Sequence, residues 1–158
     1  MSGQSFTAIL VLILAVCVVP AQAAKPKRCF SLAELRAEQE IRHGIYLREA
    51  AKRCDGRFLT GSNALWQKLE TANATKFRAA MDKRTKAWQR EFPEDWKDKI
   101  NHADGRLVTY DRNVPLTQGF CDNIDELLQE MDKRGYGGFS AQAKLLRNEV
   151  IDDYKVCP

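Results

Sequence analysis

The sequence predicts an all-α domain, a small disulfide-linked bundle of four long helices and one short one. Three observations carry that prediction. Apolar residues recur at three- and four-residue steps along most of the chain. Alternating strand patterns are essentially absent. Four cysteines follow an apparent export signal, and an even set in that context reads as two disulfides in an oxidising compartment.

The export signal comes first in the chain. No charged side chain occurs in residues 1–23. Ala8 to Val19 is an unbroken apolar run, shorter than the roughly 18 residues of a membrane-spanning helix. Pro20 and then Ala21-Gln22-Ala23 follow, an A-x-A cleavage pattern. Cutting after Ala23 leaves one domain, 24–158. The leader lacks Lys or Arg, which departs from the usual pattern. Leu14-Ala15-Val16-Cys17 resembles a lipoprotein signal but has Val16 where a small residue belongs. The pattern looks bacterial, so the expected destination is the periplasm or secretion. Asn73-Ala74-Thr75 would be a glycosylation acceptor in a eukaryote, but Asn73 falls on an apolar helix stripe.

Ser31-Leu32-Ala33-Glu34 matches a capping box. The helix it opens should run to about Cys54, with Asp55-Gly56 as the exit. Its apolar residues point three ways: Leu47, Ala50, Ala51 and Cys54; Ile41 and Ile45; Leu35 and Tyr46. A helix apolar on several sides is central. Gly44 marks a kink or a close helix crossing.

Thr60-Gly61-Ser62 is a turn. From Ala64 to Phe92 the spacing of Trp66, Leu69, Asn73, Phe77, Ala80, Met81 and Trp88 predicts one long helix. Pro93 with Glu94-Asp95 suits a new N-terminus, and a short helix to about His102 follows. Residues 104–115 read as an ordered loop. Helix resumes near Thr117, with Phe120, Cys121, Ile124, Leu127, Leu128 and Met131 on one face. Gly135-Tyr136-Gly137-Gly138 breaks it. Ser140 then caps a last helix with Ala143, Leu146, Val150 and Tyr154 inward. These last two helices should form an antiparallel hairpin.

That hairpin favours a Cys121–Cys157 bridge and leaves Cys29 for Cys54. The second pair conflicts with a straight first helix, which would separate its ends by about 33 Å at 1.5 Å per residue. Either the helix folds back near Gly44 or the pairing differs.

The chain carries 25 Lys+Arg and 21 Asp+Glu, a net charge of +4. That balance suits solubility and names no partner. With two histidines and no C-x-x-C or H-E-x-x-H spacing, no metal or cofactor is expected. Asp104-Gly105 departs from a calcium loop, because Ile100 and His102 stand where acidic ligands belong. No G-x-S-x-G and no phosphate-binding loop is present.

Two constellations remain. Arg36, Glu40 and His43 lie three and four apart on the first helix. They form either a surface ion pair or a pocket with Glu40 and His43 as an acid/base pair. Lys76, Arg78, Lys83, Arg84, Lys86 and Arg90 make the long helix basic against Asp82 alone. Of these, Lys83, Arg84 and Lys86, with Trp96, could touch an anionic membrane surface. The leading expectation is an exported, non-enzymatic module that binds a protein or cell-envelope component. A small hydrolase or transferase using Glu40 and His43 is the second. Nucleic acid is not an expected partner of an exported chain.

Overall fold

The computed structural model describes residues 29–145 and 155–157. The expected signal segment and Leu146–Tyr154 lie outside the described residues. Five helices make up the fold: α1 (Leu32–Cys54), α2 (Ser62–Ala72), α3 (Ala74–Glu91), α4 (Trp96–Asn113) and α5 (Gln118–Ala143). Two-residue strands, β1 (Cys29–Phe30) and β2 (Lys155–Val156), pair in parallel with Cys29 opposite Lys155. Among the described residues, no helix is long and apolar enough to cross a membrane.

The capping box forms: Ser31 Oγ accepts from the Glu34 N–H, and Glu34 accepts from the Ser31 N–H. α1 then runs unbroken and packs against every other helix. Its apolar directions lead to three cores, except that Tyr46, expected on the side of Leu35, packs with the Leu47 group. Leu47, Ala50 and Cys54 join Trp66, Ile124, Leu128 and Phe139. Ile41 and Ile45 join Ala37, Ala80, Leu107 and Val108. Leu35 leans on Phe30, Ala87, Trp88 and Phe92. Gly44 is a close crossing rather than a kink. A Cβ there would lie 3.5 Å from Phe77 and 3.8 Å from Trp66 and Phe139.

Four expectations are corrected. The helix expected over 64–92 divides at Asn73, whose side-chain amide donates to Leu69 O at 2.8 Å. An Asn amide that satisfies a backbone carbonyl competes with helix continuation. The expected loop at 104–115 is helical to Asn113. Gly105 costs about 1 kcal/mol there relative to Ala. The cost is offset because Asp104 receives the Arg84 guanidinium at 2.6 and 2.9 Å, and because Leu107 and Val108 pack on the core. So the short helix is α2, not the one after Pro93.

The last hairpin turns at Gly135 (φ 59°, ψ −154°), and its second arm begins at Tyr136 rather than at Ser140. Gln142 donates to Leu127 O at 3.0 Å. In a straight helix these residues would stand about 22 Å apart, so the chain has doubled back. Gly138 is pressed against the first arm, where a Cβ would meet Arg134 Cβ at 2.9 Å and Glu130 O at 3.2 Å.

The disulfides are Cys54–Cys121 and Cys29–Cys157, with Cα separations of 5.6 and 5.0 Å. The expected Cys121–Cys157 and Cys29–Cys54 pairs are absent. A straight α1 holds Cys29 and Cys54 at opposite ends. Cys54 meets Cys121 at the start of α5, and the β1–β2 pairing carries Cys157 to Cys29.

A buried ion network ties α1, α3 and α4. The Glu38 carboxylate accepts from Arg42 Nε (2.7 Å), Arg84 Nε (2.7 Å) and Trp88 Nε1 (2.9 Å). Arg84 also donates to both carboxylate oxygens of Asp104 through Nη1 and Nη2, and Nη2 gives a further bond to Glu38 at 3.3 Å. Burial alone would favour neutral Glu38, but the Arg84 and Arg42 charges outweigh it and hold its pKa below the usual value. Glu38→Ala is expected to cost about 3–5 kcal/mol, because it leaves Arg84 buried beside one partner. Urea unfolding followed by circular dichroism measures this, and a loss below about 1 kcal/mol would show that Asp104 alone suffices for Arg84. Non-reducing peptide mapping is expected to recover Cys54 linked to Cys121; a Cys29–Cys54 peptide would contradict the fold.

Candidate functional site

The structure separates the residues expected to act together on α1. Glu40 is half-buried and accepts from Ser140 Oγ at 2.6 Å and Tyr136 Oη at 3.0 Å. His43 turns into the core, 2 % exposed, with its ring centroid 5.1 Å from that of Phe139. Its Nε2 lies 2.9 Å from Gln142 Oε1. An amide oxygen only accepts, so Nε2 carries the proton and donates. Nδ1 is buried without a partner. Burial lowers the His43 pKa, which keeps the ring neutral. Among the described residues, no hydrogen bond joins Glu40 to His43 and no ion pair joins Arg36 to Glu40, so neither arrangement considered for this set forms.

Glu40 and Arg36 instead enter a cleft between α1, α3 and the second arm of α5. The cleft has a volume of about 380 Å³. Arg36 and Glu40 line it from α1, and Lys76 and Lys83 from α3. Tyr136, Ser140 and Lys144 line it from α5 and its C-cap. Ala33, Ala37, Ala79 and Ala80 fill the spaces between them, which keeps the surface concave. Each row repeats at helical spacing, so one face of each element supplies its polar groups.

The charge is lopsided: four cations share this cleft with one carboxylate. Among the described residues, Arg36, Lys83 and Lys144 make no ion pair, and Lys76 rests over the Tyr136 ring with Nζ 5.5 Å from its centroid. The oxygens of Glu40 receive hydroxyls, not cations. Burial, and then the Glu40 charge, raise the Tyr136 pKa, so the phenol stays protonated and donates.

The basic helix does not form the expected surface set. Lys83 faces the cleft. Arg84, expected beside it at the surface, has a side chain that is 0 % exposed, because Glu38 and Asp104 draw it inward. Lys86 is exposed. Trp96 is half-buried against Phe30, Trp88 and Phe92, with Lys97 Nζ 5.4 Å from its ring centroid. Sequence reading missed Tyr136, Ser140 and Lys144 as one set. Their four-residue spacing was the signal, and the glycine run around Tyr136 concealed it.

A second polar cluster sits between α1 and α4. Glu49 and Asp111 are both buried. Arg48 and Arg112 pair with Glu49 at 3.1 and 3.8 Å. Arg53 donates to the Asp111 and Val114 carbonyl oxygens, and Asp111 Oδ2 has no partner. Burial first, and the Glu49 charge second, push the Asp111 pKa up to about 6. Among the described residues, no group of three His, Cys, Asp or Glu is placed to hold a metal ion.

No protein-family model, curated protein or solved structure matches this chain.

Asp111 provides a pH-dependent stability term. Its folded pKa lies above the ordinary carboxyl value of 3.8. The folded state therefore binds more protons between about pH 4 and pH 6, and stability falls as pH rises through that window. Asp111→Asn removes the charge and is expected to stabilise the protein by about 1–2 kcal/mol at pH 7.5. At pH 4.5 the gain should be much smaller. Urea titrations at both pH values check this, and an equal effect at each would mean Asp111 does not titrate in the window.

Proposed function

We propose that this protein is an exported, non-catalytic binding domain whose ligand occupies the α1–α3–α5 cleft. The observation that carries this reading is the convergence of Arg36, Lys76, Lys83 and Lys144 around a single carboxylate. Three of those cations make no ion pair among the described residues, and charge left unbalanced in a concave surface attracts an anionic ligand. The two disulfides suit an oxidising compartment. Together with the apolar leader and its Ala21-Gln22-Ala23 pattern, they favour the periplasm or secretion.

The alternative of a hydrolase or transferase rested on Glu40 and His43 acting as a pair. His43 is enclosed and bonded to Gln142, so that reading loses its base. The membrane-surface alternative rested partly on Arg84, which is buried.

Native mass spectrometry of the full chain, recovered from the extracytoplasmic compartment, tests the proposal. The expected product begins at Ala24, lacks four hydrogens through its two disulfides, and carries a bound anion. The anion should be lost in Lys83→Glu, and its retention should weaken as salt rises. A chain that is bare in the wild type, or that keeps its ligand unchanged in Lys83→Glu, would count against the cleft.

A further inference from the structure

We propose that His43 is an acid-sensitive latch on the second arm of α5: a proton taken up by its ring favours release of Tyr136–Ala143, the arm that walls one side of the cleft. The consequence for binding rests on the cleft being the ligand site; the movement of the arm does not.

Three groups make up the latch. Gln142 Nε2 donates to Leu127 O at 3.0 Å, which fixes the amide so that its oxygen faces His43. That oxygen lies 2.9 Å from His43 Nε2. The one proton of the neutral ring therefore sits on Nε2, and a second has only Nδ1 to occupy. Nδ1 is buried, with no partner among the described residues. Phe139 and Tyr46 lie beside the ring, with centroids 5.1 and 6.2 Å away. An imidazolium there would be desolvated and only half hydrogen-bonded. The surrounding groups do not balance it. Glu40, one turn earlier on α1, is held by Tyr136 and Ser140. Burial, first among the causes, raises the pKa of both Tyr46 and Tyr136, so both phenols stay neutral. From α3 comes Lys76, over the Tyr136 ring, a cation that would oppose the new charge. The helix α2 presents Trp66 and Leu69 to the core around Phe139.

The arm is the element that can yield. It hangs from Gly135, whose φ of 59° reverses the chain. Its second and third residues are Gly137 and Gly138, the poorest helix formers after proline. Phe139 is its one large side chain that is fully buried. The disulfides hold the chain at Cys121 and Cys157, on either side of the arm rather than within it. Release is therefore a local opening that leaves α1 to α4 and the first arm in place. It takes Tyr136 and Ser140 away from Glu40, and with them the α5 wall of the cleft.

With the arm open, His43 returns to its ordinary value of 6.5; burial holds it lower when the arm is closed. The closed arm therefore loses stability as pH falls below about 6.5. Between pH 7.5 and pH 5.0 this linkage raises the opening constant by at most about thirtyfold. Amide exchange followed by NMR on the full, disulfide-bonded chain tests the latch. It needs no ligand, so its result is separate from the mass spectrometry that tests the cleft. The range also stays above the titration of Glu38, whose pKa lies below 4.5. Protection of Ser140–Ala143 is expected to be about a hundredfold at pH 7.5 and to fall by about tenfold or more at pH 5.0. The first arm, and α4 with Asp111, should keep theirs. The His43 ring signal should move over the same pH range as the loss. His43→Gln can still donate to Gln142 but takes up no proton, so its arm should stay protected at both pH values. Protection that does not change, that remains above about a hundredfold at pH 5.0, or that is lost alike along the whole chain would overturn the latch. So would a pH-dependent loss that persists in His43→Gln. Where that variant does not fold at pH 7.5, the wild-type ring decides. A ring that protonates while the arm stays protected overturns the latch, and a ring that titrates together with the arm's loss supports it.

Discussion

The carboxylate of Glu38 is the constraint on which the arrangement depends. It is enclosed on α1, which packs against each of the other four helices. A charge in that position must be neutralised and hydrogen-bonded, or it will not remain buried. Arg42 answers it from the same helix, and Arg84 and Trp88 from α3. Arg84 then passes the constraint to α4 through Asp104. Such a network is weak evidence for stability, since a well-packed apolar substitute often does as well. Its effect is geometric: it fixes how α3 is rotated about its axis.

That rotation bears on the cleft. With 100° between successive residues of a helix, Lys83 cannot point where Arg84 points. Turning Arg84 into the core swings Lys83 to the side, where Lys76, two turns earlier, shares its face. On α1 the same arithmetic places Arg36 and Glu40 within about 40° of each other, turned away from Glu38. The cations of the cleft are therefore the outer faces of helices whose inner faces are held by the buried network. The disulfides act elsewhere. Cys54–Cys121 pins the end of α1 to the start of α5, and Cys29–Cys157 secures two strands that are only two residues each.

What could be read from the sequence followed local rules. The capping box and the three directions of α1 are matters of spacing, and they correspond to the cap and the three cores, with Tyr46 alone going to the Leu47 core rather than beside Leu35. The glycine run signalled a reversal, and Gly135 supplies it. What could not be read was decided by distant partners. Nothing near Gly105 announces that Asp104 will hold Arg84, so a helix through that glycine looked improbable. Asn73 fits an apolar stripe by spacing, yet its amide finds a carbonyl and ends the helix. The disulfide pairing turned on whether α1 stays straight, and aromatic packing over Gly44 answers that. Arg36, Glu40 and Lys83 were each singled out on separate grounds. Their convergence depends on the rotation of α3 and on a hairpin arm that starts earlier than its cap residue implied.

The cleft also explains why a carboxylate stands among so many cations without pairing with any. Four positive side chains gathered around one cleft repel one another and oppose folding. A negative charge among them reduces that repulsion. If Glu40 were held by Arg36 or Lys83 directly, the cations would be neutralised and the cleft would lose its attraction for an anion. Tyr136 and Ser140 resolve this conflict. They satisfy the hydrogen-bonding demand of the carboxylate with neutral donors, so its charge moderates the field while the cations stay available. Burial and the Glu40 charge keep the phenol protonated, and Gly135 turns the chain so that Tyr136 and Ser140 reach α1 at all. The reversal at one glycine thus converts an ordinary basic helix face into a concave, partly compensated surface.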